Sequence, residues 1–534
     1  MNKRTFLLSL LFVAGSINHL SAQQTEPVRK QLDSSTYGIV ASAHPLATEA
    51  GNLMLKKGGN AFDAIAAASF MLAVTEPSMS GLGGRLQAIY FKNGGQPQGI
   101  DATTQVPSGY VKKAKEAENG FATIGVPGMV KGIIRIQTEN GKLRLKDVMK
   151  PAIEAASKGY PILKEEVQRE AIEIKELRKY PSTKKHFLLG DSMQKGGTVF
   201  VQPALAKTLK SISNTKGKSF YNGKIASSLS SEITAGGGSL RLNDMKNYEA
   251  LDAKMLKGSY KGFEIVGMGL PCYGAIVIEM LQMLEAVDLS KASEKDFLLY
   301  HAASHFKAYE DRPLLNKKED SLVMPSYTTK RWNQPLPSSI SLPTQGDHSN
   351  GHTTHLVASD VDGNVVSVTQ SVGPLMGSKV ASMKNGFVLA TTMGPYLGTS
   401  KAGERAASHI SPIIIMKDGK PIMALGAAGG ARIVPAIVQV ISRVIDQGLS
   451  LDKALAAARV YQMPEKILVE NHKGIFWKDS NTLTQLQQSG NVVEEVKTAA
   501  SFGRVHAALF NTQTGNWIGA ADPDWTGTAV GAKK

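Results

Sequence analysis

The chain has 534 residues, 42% of them hydrophobic and 20% charged, with a formal net charge of +16. That length exceeds what one small core organises, and that apolar fraction excludes global disorder. The lysines are scattered and aromatic residues make up only 6%, which excludes a nucleic-acid surface built as a basic stripe with interleaved aromatics.

At the N-terminus Lys3 and Arg4 precede an apolar run from Phe6 to about Ile17, followed by small and polar residues up to Ala22. This order predicts a secretory signal peptide over 1–22 and an exported, periplasmic or extracellular protein. The run is shorter than the roughly 20 residues of a spanning helix, so no membrane span is expected in the mature chain. Cys272 is the single cysteine, so no intramolecular disulfide can form. In "GMGLPCYGAIVIEML" it reads as core filler at the entry to an apolar helix.

Residues 47–57, "ATEAGNLMLKK", predict an amphipathic helix closed by Gly58-Gly59. Asn60 then caps a second, more apolar and hence buried helix, "AFDAIAAASFMLAV". A glycine turn leads into a strand over 86–91. Residues 142–300 read as mainly helical, with loops near Gly190-Asp191 and Gly236 to Gly238. Residues 317–351 carry four prolines and no sustained periodicity, which predicts an exposed connector. Beyond it the pattern becomes short strands, "THLVAS", "NVVSVTQS", "ISPIIIM", "PIMALGAA", "HAALFN" and "NWIGAAD", interrupted by helices at "VPAIVQVISRVIDQG" and "LDKALAAARVY".

Within "SNGHTTHLVASDVDGNVVSVTQSVGP" the Asp362-Gly363 pair is a strong hairpin signal. A two-residue turn there sets Thr354 opposite Ser371 and Thr353 opposite Val372, bringing the Ser371 hydroxyl within about one ladder position of Thr353. "DVDGN" also matches part of a calcium loop but lacks the downstream bidentate glutamate, so the hairpin reading prevails. Gly429-Gly430 in "ALGAAGGARIVPAIVQV" stand directly before a helix, where backbone N–H groups and the helix dipole can hold an anion. His352, His355 and His409 lack a helix-face spacing, and no nearby acid completes a set. No metal site is assigned and no cofactor is implied.

Residues 353–369, "TTHLVASDVDGNVVSVT", resemble the start of the small subunit of γ-glutamyltranspeptidases (glutathione hydrolases). "KKGGNAFDAIAAA", "EPSMSGLGG", "GVPGMVKG", "SHISPIIIMKDGK", "GAAGGARI" and "GAADPDWTG" resemble further family blocks in the family's order. The resemblance implies an α+β fold, the four-layer αββα sandwich of N-terminal nucleophile hydrolases, made as one precursor that cuts itself between His352 and Thr353. A large subunit, 23–352, and a small catalytic subunit, 353–534, would remain as an obligate heterodimer. Thr353 would be the nucleophile and, through its freed amine, the base. Ser371 would supply a supporting hydroxyl where the family has threonine, and Gly429 and Gly430 the oxyanion hole.

The chain departs from the family where substrate is held. The arginine that grips the glutamyl α-carboxylate aligns with Thr103, and the aspartate that holds the α-amino group with Pro395, in a block that also contains Thr392. A paired serine motif aligns with Ser408-His409, and the asparagine after the supporting threonine with Gly373. Arg85 replaces a glycine of the family's glycine run and is a candidate carboxylate contact from another direction. The leading expectation is therefore hydrolysis or transfer of γ-glutamyl amides, small molecules or peptides, through an acyl-enzyme. Two alternatives are an acylase or amidase of the same fold with a different acyl donor, and a non-catalytic binding protein.

Overall fold

The structure is a computed structural model, and it describes residues 30–335, 352–398 and 401–533. The expected signal peptide and the 336–351 part of the expected connector lie outside the described residues.

Two seven-stranded sheets lie face to face, with helices covering both outer surfaces. One sheet runs, in spatial order, Thr528–Gly531, Gly38–Ser42, His352–Asp360, Val365–Gly373, Arg85–Phe91, Gln98–Ala102 and Leu251–Asp252. The other runs Leu32–Ser35, Asn516–Ala521, Arg504–Asn511, Lys420–Ala428, Ile413–Lys417, Phe263–Met268 and Met255–Tyr260. This is the αββα sandwich of the N-terminal nucleophile hydrolases, formed jointly by residues before and after 353.

The period-two rule explains why the central strands are apolar throughout. Leu356 and Ala358 face the helix layer with Val366 and Val368, whereas Val357 and Val365 enter the inter-sheet core with Ile414, Ala424 and Ala508. The Ala61–Thr75 helix is buried along its whole length. Asn60 accepts from the N–H groups of Phe62 and Asp63, while Asp63 accepts from Asn60 N–H, forming a capping box. The Cys272 side chain is fully buried just before the Gly274–Leu284 helix, and burial pushes its thiol well up.

Two sequence expectations are corrected and one is refined. Residues 317–335 were expected as irregular connector, yet Leu315–Leu322 and Pro325–Trp332 are helices that bury Leu322 and Thr328. Pro325 opens the second at its first turn, where its missing N–H costs nothing. The 142–300 region is mainly helical as expected, but the hairpin of Met255–Tyr260 and Phe263–Met268 at a sheet edge interrupts it before the Gly274–Leu284 and Glu294–Glu310 helices.

The second correction concerns register. The hairpin at Asp362-Gly363 has a three-residue loop, 361–363, with Gly363 at φ +84° and Asp360 bonded to Asn364. Thr354 therefore pairs with Gln370 and His355 with Thr369. Asp360 and Asn364 prefer to close this loop with side-chain bonds, Asn364 Nδ2 to Asp360 Oδ2 at 2.7 Å and Asn364 N–H to Asp360 Oδ1 at 3.0 Å.

Candidate active site

The register changes once more at the site itself. Between the Thr354 and Gln370 pair and the His352 and Gly373 pair, Thr353 stands opposite both Ser371 and Val372. Such a bulge bends its strand and re-aims a side chain. Thr353, Ser371 and Arg85 occupy three neighbouring strands, with Ser371 directly paired to Arg85. All three project from the inter-sheet face, the face of Val357, Val365 and Ile89.

Ser371 Oγ donates to the carbonyl oxygen of His352 at 2.8 Å and accepts the N–H of Gly373 at 2.9 Å. Thr353 Oγ1 donates to Ser371 Oγ at 3.4 Å, at the weak end for two hydroxyls. Thr353 and Ser371 are 5% and 3% exposed. The carbonyl before Thr353 is thus polarised by one hydroxyl while a second hydroxyl lies beside it. Thr354, on the opposite face, donates to the buried carboxylate of Glu76 at 2.8 Å. Trp525 Nε1 donates to the same carboxylate at 3.3 Å, and burial raises the Glu76 pKa.

From the facing sheet, the Lys420–Ala428 strand ends at Gly429 and Gly430, one residue group before the Ile433–Ile445 helix. Among the described turn hydrogen bonds, neither glycine's N–H has an acceptor. Gly430 lines a partly open cavity of about 190 Å³ together with Thr353, Ser371, Arg85, Pro395, Tyr396, Ser408 and His409. Gly429 and His352 line a larger groove of about 1530 Å³ that shares Pro395 and Tyr396 with the smaller cavity. Two chambers therefore meet at that bond, an arrangement that can house an acyl group on one side and its leaving group on the other.

The remaining candidates separate. His409 lies edge-on to Tyr273, ring centroids 4.8 Å apart, with Arg312 Nη1 at 3.3 Å from its Nε2. Thr103 and Thr392 are fully buried but do not line the cavity. Thr103 instead accepts from Gln87 and, through its carbonyl, from Tyr248 at 2.6 Å. Thr392 N–H is bonded to Thr123 O at 2.7 Å. The nearby Arg405 is held by Asp101 at 3.0 Å. His355 is pinned by Thr369 at 2.8 Å and Ser367 at 3.3 Å, away from His409. Burial, then Arg504, Lys379 and Arg169, hold the His352 imidazole well below its usual pKa.

Several site residues carried no sequence signal of their own. Trp525 packs against the guanidinium groups of both Arg169 and Arg504, at 4.2 and 3.9 Å from its ring centroid. Both arginines line the larger groove. Glu76 and Trp525 lie inside the motifs "EPSMSGLGG" and "GAADPDWTG", so the blocks were visible although the contact between them was not. Glu470, His472 and Asp524 also converge. His472 Nε2 sits 2.7 Å from Asp524 and 3.4 Å from Glu470. Their carboxylates push its pKa up to about 9.

Comparison with known proteins agrees with this architecture. The γ-glutamyltranspeptidase family matches residues 47–532. A glutathione hydrolase proenzyme of Bacillus subtilis is 29% identical, covering 99% of this chain and 97% of its own. An acylase ACY 1 proenzyme of a Pseudomonas strain is 30% identical over 81% of this chain and 84% of its own. Among solved structures, a cephalosporin acylase from Bacillus halodurans superposes with a TM-score of 0.83, covering 98% of this chain and 100% of its own, at 22% identity. At that identity the likeness concerns the fold. No helix among the described residues is long and apolar enough to cross a membrane.

Proposed function

This chain belongs to the γ-glutamyltranspeptidase family, and from that premise we propose that it is an exported, self-processing N-terminal threonine amidohydrolase. The observation that carries this reading is the contact of Ser371 Oγ with His352 O at 2.8 Å beside the Thr353 hydroxyl. In the precursor, Thr353 Oγ attacks the carbonyl carbon of His352 and the peptide nitrogen leaves as the new α-amine. The resulting ester is opened by water, which frees the 23–352 subunit from the 353–534 subunit.

In the processed enzyme the freed amine takes the proton of the Thr353 hydroxyl, so no histidine is required. The hydroxyl oxygen attacks a substrate amide, and charge develops on the carbonyl oxygen. Gly429 and Gly430 supply N–H groups to that oxygen, aided by the N-terminus of the Ile433–Ile445 helix. The amine passes its proton to the leaving nitrogen, the C–N bond breaks, and water or an acceptor amine resolves the acyl-enzyme.

Two acyl donors have support. The relatives named glutathione hydrolase favour a γ-glutamyl group. The second reading, an acylase, is favoured by a specific observation: among the described residues no acidic side chain lines the 190 Å³ chamber, and Pro395 stands in its wall. An α-ammonium group would find no counter-ion there. The non-catalytic reading has no supporting observation, and Thr353, Ser371 and Gly430 lining one chamber speak for the catalytic one.

The test is a denaturing gel with terminal sequencing of the purified protein. Two bands, the smaller beginning at Thr353, are expected. Thr353→Ala should give one band and no amide hydrolysis, and a Thr353→Ala protein that still splits at this bond would end the proposal.

A further inference from the structure

Glu470, His472 and Asp524 bring three electron-pair donors to one buried point outside the chamber of Thr353. Their side chains are 1%, 5% and 9% exposed, and one ligand atom from each lies within 4.8 Å of the other two. His472 Nδ1 is 3.1 Å from the Lys473 carbonyl oxygen. A carbonyl can only accept, so one ring hydrogen stays on Nδ1 and Nε2 is the nitrogen turned to the carboxylates. A backbone acceptor behind one ring nitrogen is the support that fixes the tautomer of metal-ligating histidines.

Glu470 is short of donors. It is 1% exposed, its Oε1 reaches the His472 ring at 3.4 Å, and its Oε2 has no hydrogen-bond partner. A buried carboxylate without donors is costly, so the point where it meets Nε2 and Asp524 Oδ2 calls for positive charge. The neighbouring arginines are directed elsewhere. Arg459 donates to Asp522 at 2.7 Å, and Arg504 lies over the Trp525 ring. A proton on Nε2 supplies one charge, whereas a divalent ion supplies two and matches both carboxylates.

We propose that Glu470, His472 and Asp524 bind a divalent transition-metal ion, Zn²⁺ being the best fit, through one oxygen of each carboxylate and Nε2 of the imidazole. Imidazole nitrogen and carboxylate oxygen are ordinary zinc ligands at about 2.0–2.2 Å, which sets tetrahedral donors about 3.3–3.5 Å apart. Nε2 and Glu470 Oε1, at 3.4 Å, already have that spacing, and Nε2 and Asp524 Oδ2 open from 2.7 Å to admit the ion. Three protein ligands leave the fourth position to water. Asp524 also lines the larger groove, which gives the ion a way in. In metal-free protein the Nε2 proton fills the same place, and the ion displaces it.

The ion ties the end of the Ile467–Glu470 strand to the turn after the Asn516–Ala521 strand. That turn carries Trp525, whose Nε1 donates to Glu76 at 3.3 Å, the carboxylate that also accepts from Thr354. The role is therefore structural: the ion braces a groove wall one residue removed from the nucleophile's own contacts.

The experiment uses processed wild type and the intact Thr353→Ala chain, both stripped with EDTA and desalted, so the result does not depend on self-cleavage. Calorimetric titration with Zn²⁺ near neutral pH should give one ion per chain in both, and excess Zn²⁺ should raise Tm. His472→Gln and Asp524→Asn should each weaken binding by at least about 10²-fold, since loss of even an outer-shell partner costs up to that much, and each should lose the rise in Tm. Co²⁺ reads the ligands directly: wild type should develop the visible absorption of four-coordinate Co²⁺, and His472→Gln should not. Stripped wild type that takes up neither Zn²⁺ nor Co²⁺ overturns the inference. So do His472→Gln and Asp524→Asn that bind Zn²⁺ with wild-type stoichiometry and affinity. Where a variant fails to fold, the Co²⁺ spectrum of wild type decides, and its absence overturns the site.

Discussion

The Ser371 hydroxyl donates its single proton to the carbonyl oxygen of His352 at 2.8 Å. A hydroxyl also has two lone pairs, and here the Gly373 N–H at 2.9 Å and the Thr353 hydroxyl at 3.4 Å occupy them. The Thr353 hydrogen therefore points to Ser371, and its own lone pairs stay free to approach the carbon of the preceding carbonyl. Each bond in this chain orients the next, so removing the middle member disturbs both ends.

Ser371→Ala should slow self-cleavage by about 10²-fold, the effect of losing one donor to a developing oxyanion. It should also destabilise the fold by about 1 kcal/mol, because the buried Gly373 N–H loses its acceptor. Ser371→Thr keeps the hydroxyl and should process far faster than the alanine variant. A gel time course after dilution from denaturant measures the rates, and equal rates for alanine and wild type would remove Ser371 from the chemistry.

Hydrolysis by the split protein should rise with pH as the Thr353 amine loses its proton. An unperturbed α-amine titrates near 7.7–8.0, and the Arg85 guanidinium in the same chamber favours the neutral amine. The rising limb of kcat/KM against pH should accordingly have an apparent pKa at or below about 8. Self-cleavage precedes the birth of this amine, so its pH profile should lack that limb.

Much of this was legible in the chain. Strand alternation, the Asn60 cap and the glycine pair before an apolar helix are local patterns, and the structure holds them where the residues predict. What escaped were relations between distant segments. The loop at Asp362-Gly363 is one residue longer than the dipeptide suggests, because Asp360 and Asn364 bond each other across it. That shift, with the bulge at Ser371, decides which hydroxyl faces Thr353. Arg85 in the glycine run gives no sign of its surroundings in sequence, since only the fold places it in the chamber wall beside Thr353 and Ser371. The Arg169, Trp525 and Arg504 stack unites residues far apart in sequence and leaves no spacing to detect. The polar, proline-bearing text of 317–335 concealed two helices, because their stability comes from a few buried positions such as Leu322 and not from a continuous apolar stripe.

His472 offers a test of electrostatics away from the chemistry. Glu470 first, and Asp524 with it, raise its pKa from 6.5 to about 9. A folded pKa above the unfolded one means that the paired imidazolium stabilises the fold fully below about pH 6.5, and that this contribution is lost as pH rises through about 9. The melting-temperature gap between wild type and His472→Gln should be widest on the acid side of that window and close on its alkaline side. A gap that widens with rising pH would mean that the ring is neutral in the folded protein.

Gly429 and Gly430 should not tolerate substitution equally. Gly429 has φ +144°, and a Cβ there would lie 2.9 Å from the Gly503 backbone. Gly430, at φ +59°, occupies the left-handed helical region that side chains enter at a cost of about 1–2 kcal/mol. Alanine at 429 meets both a backbone region that is almost reserved for glycine and a contact no rotamer can relieve, since the obstructing atom is main chain. The chain must shift, and the N–H proposed to face the oxyanion turns with it. Gly429→Ala should therefore lower the urea midpoint more than Gly430→Ala and reduce turnover by at least about 10² in whatever fraction remains folded and split. Urea titration followed by active-site-normalised kinetics separates the two effects. If Gly429→Ala unfolds at the wild-type midpoint and hydrolyses at the wild-type rate, neither the strained turn nor its N–H serves the reaction.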